Sequence, residues 1–263
     1  MTEVMLEHRE GGLLTLTMNR PASRNALDPT LCDALVGATV RAGADPDAHA
    51  VMLTGAGPAF CVGGDVKAMA GGEKRAVSLE DRAWGLRNWM EASRQLHDMR
   101  KPTIAAINGA AAGAGLSLAL ACDLRICTRS AKITTAFAKV ALSGDYGGTW
   151  FLTRLLGSAK ARELYFLSPV LSADEALRIG LVNEVVDDSD FADAARAYAR
   201  RLAEGPRLTY GYIKQNINMA ETGPLETCFD AEAMNHVRSS TTADHREAAA
   251  AFVEKRTPQF RGQ

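Results

Sequence analysis

Nothing in the charge balance of this chain points to a polyanion. Its 263 residues carry 30 Lys and Arg against 31 Asp and Glu. That leaves no basic field for nonspecific nucleic-acid binding, and no acidic tail is present. Cysteine is sparse: the five residues, Cys32, Cys61, Cys122, Cys127 and Cys228, are scattered and odd in number, with no CxxC pair. This excludes a disulfide framework and gives no metal-ligand spacing, and it predicts reduced, mostly buried thiols in a reducing, cytoplasmic setting. Residues 1–9 are charged and lack an apolar stretch, so they do not read as a signal peptide. One uncharged run, 103–121, approaches the length of a membrane span, but Asn108, Ser117 and glycines at 109, 113 and 115 interrupt it. It reads instead as a buried strand followed by a buried helix. Nucleotide motifs are missing too. There is no GxxxxGK[ST], and Leu118 stands where a GxGxxG turn would need its third glycine.

What is present is an ordinary globular composition, 47% hydrophobic and 23% charged. Apolar runs on both sides of Gly11-Gly12 predict a hairpin. Asp28-Pro29 predicts a helix start, with an acid cap and proline in the first turn, running to about residue 44. Strands are expected at 50–54, 103–107, 124–127 and 181–186, with helices at 79–99 and 115–121 between them. Strands alternating with helices imply βαβ units and a largely parallel sheet, hence an α/β fold. Ser172-Ala173-Asp174-Glu175 is a capping box. Beyond residue 191 strand signals stop, and four helices are expected at 190–203, 206–220, 224–237 and 242–255. The organisation is therefore a core over 1–190 and a helical region over 191–263. Helices unable to bury all their apolar faces on one core suggest subunit contacts.

Three glycine-rich turns stand out: Phe60-Cys61-Val62-Gly63-Gly64-Asp65, Asn108-Gly109-Ala110-Ala111-Ala112-Gly113-Ala114-Gly115, and Ser143-Gly144-Asp145-Tyr146-Gly147-Gly148-Thr149. Small residues after a strand let the backbone approach a ligand and leave N–H groups free to point at it. Two such groups can stabilise negative charge developing on a carbonyl oxygen. Each turn alone is equally a packing device. The third is distinctive because Asp145 is the sole carboxylate between Asp123 and Glu163 and has small or apolar residues before it. It reads either as a helix N-cap or as an acid placed for chemistry.

Taken in order, these segments resemble the crotonase superfamily, the enoyl-CoA hydratase/isomerase family. The resemblance also includes Leu16-Thr17-Met18-Asn19-Arg20-Pro21, Asn25-Ala26-Leu27, Lys101-Pro102-Thr103, Ala119-Leu120-Ala121-Cys122-Asp123, Ala176-Leu177-Arg178-Ile179-Gly180-Leu181-Val182 and Phe252-Val253-Glu254-Lys255-Arg256, so it covers nearly the whole chain. It implies a ββα spiral core and a C-terminal helical trimerisation region, assembled as a homotrimer or a dimer of trimers. It implies an acyl-CoA thioester as ligand, with coenzyme A part of the substrate and neither cofactor nor metal required. In this family the backbone amides at Gly64 and Ala114 hold the thioester oxygen. Ser23 and Arg24 match CoA contacts near the pyrophosphate, while Val62, Gly64 and Val66 match those around the adenine, with Asp65 in the same turn. Phe252 and Lys255 match positions that reach CoA from a neighbouring subunit, and Lys67 is a weaker phosphate candidate.

Hydratases of the family use two glutamates. Their positions here are Ser117 and Phe137, and neither is a general base at neutral pH. The segments around Asp145, and Ile213-Lys214-Gln215-Asn216-Ile217-Asn218 further on, are similar to the 1,2-epoxyphenylacetyl-CoA isomerase branch, which places its carboxylate at the Asp145 position. One carboxylate suffices to move a proton within a single substrate, so isomerase is the first expectation and hydratase the second. A dehalogenase-like use of Asp145 as a nucleophile, with Phe137 as an aromatic wall and His97 as partner, ranks third. An acyl-CoA binder without catalysis is the reading from a different class. Tyr146 lends its hydroxyl to the pocket or packs, and Trp84 and Trp89 line an acyl tunnel or pack.

Overall fold

A computed structural model describes residues 3–66 and 78–263; Lys67 lies outside the described residues. The expected hairpin is present: β1 (Met5–Glu10) and β2 (Leu13–Met18) pair antiparallel around Gly11-Gly12. β2 then pairs in parallel with β3 (Ala50–Gly55), β3 with β5 (Thr103–Ile107), β5 with β7 (Leu124–Thr128), and β7 with β10 (Glu184–Val186). A second, smaller sheet runs β4 (Ala59–Cys61), β6 (Ala110–Ala112), β8 (Lys132–Thr134), β9 (Leu171–Ser172). Strands β3, β5 and β7 are each followed by a short strand of the second sheet, β4, β6 and β8. These repeats form the ββα spiral of the crotonase fold.

The parallel part of the large sheet is buried on both faces, as parallel sheets require, whereas the antiparallel edge strand β1 is mostly exposed. Alternate residues separate cleanly, because successive side chains on a strand point to opposite faces. Leu14, Leu16, Val51, Leu53, Ala105 and Ile107 face the main core. Leu13, Ala50, Met52, Ile104, Ala106 and Ile126 face the other way, against Phe191, Ala195, Ala199 and Ala203. The helix Phe191–Ala203 therefore covers the second face of the sheet.

Helix α1 (Pro29–Ala44) begins where the cap predicted it, with the Asp28 carboxylate accepting from the Leu31 amide at 2.8 Å. Such a cap contributes about 1 kcal/mol. The single helix expected over 79–99 is two, α2 (Leu79–Trp89) and α3 (Glu91–Asp98), breaking at Met90. The uncharged run 103–121 is strand β5, strand β6 and helix α4 (Ala114–Ala121), all eight of whose residues are buried. No helix among the described residues is long and apolar enough to cross a membrane. Helix α5 (Gly148–Leu167) follows the Asp145 turn and carries a non-helical residue at Gly157, φ 78°. The Ser172 capping box opens α6 (Ala173–Arg178), and the remaining helices are α7 (Phe191–Ala203), α8 (Arg207–Ala220), α9 (Leu225–Ser240) and α10 (Ala243–Glu254).

Candidate active site

Strands β4 and β6 pair in parallel, Ala59 with Ala110 and Cys61 with Ala111, so the first two glycine-rich turns leave the small sheet side by side. They touch: a Cβ placed on Gly63 would lie 3.3 Å from the Ala114 nitrogen. Gly113 sets the direction of the second turn with φ 53° and ψ −127°, a conformation that essentially requires glycine. Ala114 is the first residue of α4, so its amide has no acceptor inside the helix. Among the described residues no group accepts a hydrogen bond from the Gly64 or the Ala114 amide.

The segment holding Ser23 and Arg24 is tied to the first turn. The Asn25 side-chain amide donates to the carbonyls of Ala59 at 2.8 Å and Phe60 at 3.1 Å, the Leu27 amide donates to Gly63 at 2.8 Å, and the Val62 amide donates to Arg24 at 3.3 Å. Ser23, Arg24, Val62, Gly64 and Asp65 thus share one neighbourhood beside Ala114, with Val66 half exposed at its edge. Phe252 and Lys255 are not joined to it within this chain. They lie on α10 and at its C-cap, and Phe252 is 85% exposed.

The third turn opens a helix, as its glycines suggested, and decides between the two readings of Asp145. The helix begins at Gly148 with Gly147 as its cap residue and no side-chain cap, so Asp145 is not an N-cap. It is the first residue of a tight turn: the Gly148 amide donates to the Asp145 carbonyl at 3.0 Å, and both central residues have positive φ, Tyr146 at 49° and Gly147 at 75°. That is the pattern of a type I′ turn. A tyrosine in this region is strained by about 1 kcal/mol or more. Burial holds it there. Tyr146 is 2% exposed, and its hydroxyl donates to the Cys32 thiol at 3.3 Å. Of the two uses expected for Tyr146, packing is the one observed.

Asp145 itself is half-buried, and its Oδ1 is buried without a hydrogen-bond partner. Burial raises its pKa from 3.8 to about 6, with no cationic neighbour opposing the shift. Its charge in turn helps raise the pKa of Cys32, Cys61, Tyr146 and Tyr165, which lie around it. Near Asp145 stand Ser117 and Phe137, the positions that the family resemblance matched to the hydratase glutamates. Ser117 is buried on α4, its hydroxyl donating to the Gly113 carbonyl at 3.3 Å. Phe137 is 5% exposed and stacks on Tyr165, with ring centroids 5.8 Å apart and planes 3° apart. Tyr165 is the residue that sequence reasoning missed. It lies on α5 beyond the Gly157 break, and no spacing rule connects it to Asp145.

His97 packs against the rings of Trp150 and Phe151, with centroids at 5.2 and 5.3 Å, and lies 4.0 Å from Glu221. It is therefore engaged with the start of α5 and with the end of α8. Trp89 donates to Asp33 at 2.7 Å and packs on the main core, whereas Trp84 is 68% exposed.

Residues 8–263 match the model of the Enoyl-CoA hydratase/isomerase family. The chain is 40% identical to the 1,2-epoxyphenylacetyl-CoA isomerase of Escherichia coli, over an alignment spanning 100% of each chain. It is 35% identical to the short-chain-enoyl-CoA hydratase of Clostridium acetobutylicum, across 97% of this chain and 96% of the relative. The crystal structure of an enoyl-CoA hydratase from Polaromonas sp. JS666 superposes with a TM-score of 0.90 at 35% identity, covering 98% of this chain and 99% of the other. Fold and sequence thus define an acyl-CoA enzyme with a ββα spiral core. The chain belongs to the enoyl-CoA hydratase/isomerase family.

Proposed function

We propose that the protein is an acyl-CoA isomerase in which Asp145 carries a proton between two carbons of one substrate. The amides of Gly64 and Ala114 receive the thioester oxygen. Asp145 takes a proton from a carbon activated by the thioester. The electron pair moves into a dienolate whose charge rests on that oxygen, and the same carboxyl returns the proton at another carbon, leaving the double bond displaced. Each preorganised amide in such a site supplies about 3–4 kcal/mol of transition-state stabilisation. The observation that carries this reading is Asp145: an unpartnered carboxyl with pKa near 6, while Ser117 and Phe137 occupy the two glutamate positions of hydratases. A base with a pKa near working pH is mostly ionised at neutrality yet returns its proton readily. Hydration of an alkene needs a second group to position water, and the two positions matched to the hydratase glutamates hold Ser117 and Phe137.

Ser23, Arg24, Val62, Asp65 and Val66 are read as the CoA-binding rim, and the exposed Phe252 and Lys255 as contributions to a neighbouring subunit's CoA in a homotrimer or dimer of trimers. The hydratase name of the Clostridium relative keeps hydration as the competing reading. Incubating purified protein with a 3-enoyl-CoA and with a trans-2-enoyl-CoA, and reading products by mass, separates the two. Isomerisation leaves the mass unchanged, whereas rapid formation of a water adduct would overturn the proposal. Replacement of Asp145 by Asn is expected to abolish isomerisation while leaving CoA-thioester binding in place.

A further inference from the structure

We propose that Tyr165 is the positioning residue of this site: its ring clamps the Asp145 turn in place and shields the carboxyl from water. The inference rests on the isomerase reading above.

Three contacts place one side chain against every part of the wall around Asp145. The Tyr165 ring lies parallel to Phe137. Its Cε1 is 3.2 Å from where a Cβ on Gly144 would sit, on the near side of Asp145. Its hydroxyl is 2.6 Å from the same point on Gly148, on the far side. The Ser117 hydroxyl stands beside it, 2.3 Å from that same point. The residues on either side of Asp145 in the turn are thus shaped to the ring, since a side chain at Gly148 would run into both Tyr165 and Ser117.

Tyr165 is itself fixed to the loop that bears Phe137. The Thr135 hydroxyl donates to the Leu164 carbonyl at 2.7 Å and lies 3.2 Å from the Ser168 hydroxyl, and the Ser168 hydroxyl donates to the Tyr165 carbonyl at 3.2 Å. Leu164 and Ser168 are buried. Helix end, loop and turn are therefore one packed unit with Tyr165 at its centre. Burial is the cause of the raised Asp145 pKa, so the groups that cover the carboxyl set its proton affinity. Tyr165 is close enough for the Asp145 charge to act on its own ionisation. Phe137 and Tyr165 thus occupy, as a dry aromatic stack, ground next to a position where hydratases hold a carboxylate.

Isomerisation of a 3-enoyl-CoA is measured from pH 5 to 9 for the native protein and for Tyr165→Phe, Tyr165→Leu, Phe137→Leu and Asp145→Asn, with circular dichroism and melting to verify folding. Tyr165→Phe keeps the ring and is expected to hold kcat within about threefold. Tyr165→Leu is expected to lower kcat at least about thirtyfold with KM changed less than about threefold, because misplacing a reacting group costs turnover rather than binding. Its acid limb of kcat is also expected to move down by at least about half a pH unit, as water reaches Asp145. A purely structural tyrosine would lower the melting temperature without moving that limb. Should Tyr165→Leu not fold, Phe137→Leu removes the other half of the stack and is expected to move the limb in the same direction. An unshifted limb and near-native kcat in the folded variant would overturn the inference. So would a Tyr165→Phe protein as impaired as Tyr165→Leu, which would show the hydroxyl acting directly. If Asp145→Asn stays active, the isomerase reading itself fails. If Asp145→Asn is inactive and the two Leu variants are unaffected, only the clamp fails.

Discussion

Replacing Asp145 by Asn should make the protein more stable, and by an amount that depends on pH in a defined direction. In the unfolded chain this carboxyl ionises near its ordinary 3.8, whereas in the folded protein burial raises its pKa to about 6. Below about pH 4 the group is protonated in both states and contributes no difference. Between about pH 4 and 6 the unfolded chain gives up the proton first, so stability falls as pH rises, and above about 6 the full penalty is present. At 1.36 kcal/mol per pKa unit the penalty is about 3 kcal/mol. The carboxylate keeps some solvent contact, and screening reduces this to about 1–2 kcal/mol. Asparagine retains the shape but not the charge. Because Oδ1 already lacks a partner, the substitution removes ionisation without breaking a hydrogen bond at that atom. The expected gain in melting temperature is about 3–6 °C at pH 8 for a domain of this size, shrinking toward zero near pH 4. Paired thermal and urea melts of the two proteins from pH 4 to 8.5, at fixed protein concentration, measure it. A difference independent of pH, or an Asn protein less stable at pH 8, would refute the reasoning.

The pH dependence of turnover follows from the same carboxyl: isomerisation kcat/KM should fall below about pH 6 with a single-proton slope, and a profile flat down to pH 5 would remove Asp145 as the base. Lys214→Met should destabilise the fold by about 3–5 kcal/mol, read by urea unfolding, because the buried ammonium donates to Asp123 at 2.8 Å and to the Leu96 carbonyl at 2.9 Å, and its loss leaves Asp123 without its cation. A cost below about 1 kcal/mol would show that α8 is held elsewhere. Phe252→Ala should weaken CoA-thioester binding at least about fivefold by calorimetry, with the monomer fold intact, if an 85%-exposed phenylalanine serves a neighbouring site. Unchanged affinity would confine Phe252 to its own subunit's surface.

Much of the fold was legible because local chemistry and burial agree in it. The Gly11-Gly12 hairpin, the Asp28 cap and the Ser172 capping box are short-range signals, and the structure meets each where the residues place it. The break at Met90 was not legible, since helical periodicity continues across it and Met90 itself keeps φ −64° and ψ −13°, in the right-handed helical region. Asp145 was recognised as chemically unusual, and the alternative of a helix N-cap is the one the structure removes. A cap and a turn acid share the same neighbours in sequence, and they differ only in the positive φ values of Tyr146 and Gly147. Tyr165 and the Lys214–Asp123 pair were invisible for a different reason. Both are contacts between separate elements, and neither leaves a spacing pattern along the chain.

These missed features lie where local rules are broken, and in the turn they are broken together. A tyrosine sits at positive φ, a carboxyl is half-buried without a partner at Oδ1, and backbone lies too close to Ser117 and Tyr165 for any side chain at Gly148. Each feature opposes stability, and relaxing any one would make a more comfortable turn. Elsewhere the buried side-chain N and O atoms are satisfied: among the described residues only Ser93 Oγ shares the unpartnered state of Asp145 Oδ1. Strain gathered at one carboxyl, with the surrounding core well packed, is what a site needs when its base must stay dry and in one place. Relatives on the same scaffold carry isomerase and hydratase names alike, so the scaffold does not select the reaction. Under the function proposed above, the selection falls to which side chains stand at positions 117, 137 and 145. Here those are a hydroxyl, an aromatic ring and one acid, the set on which the proposed proton transfer within the substrate rests.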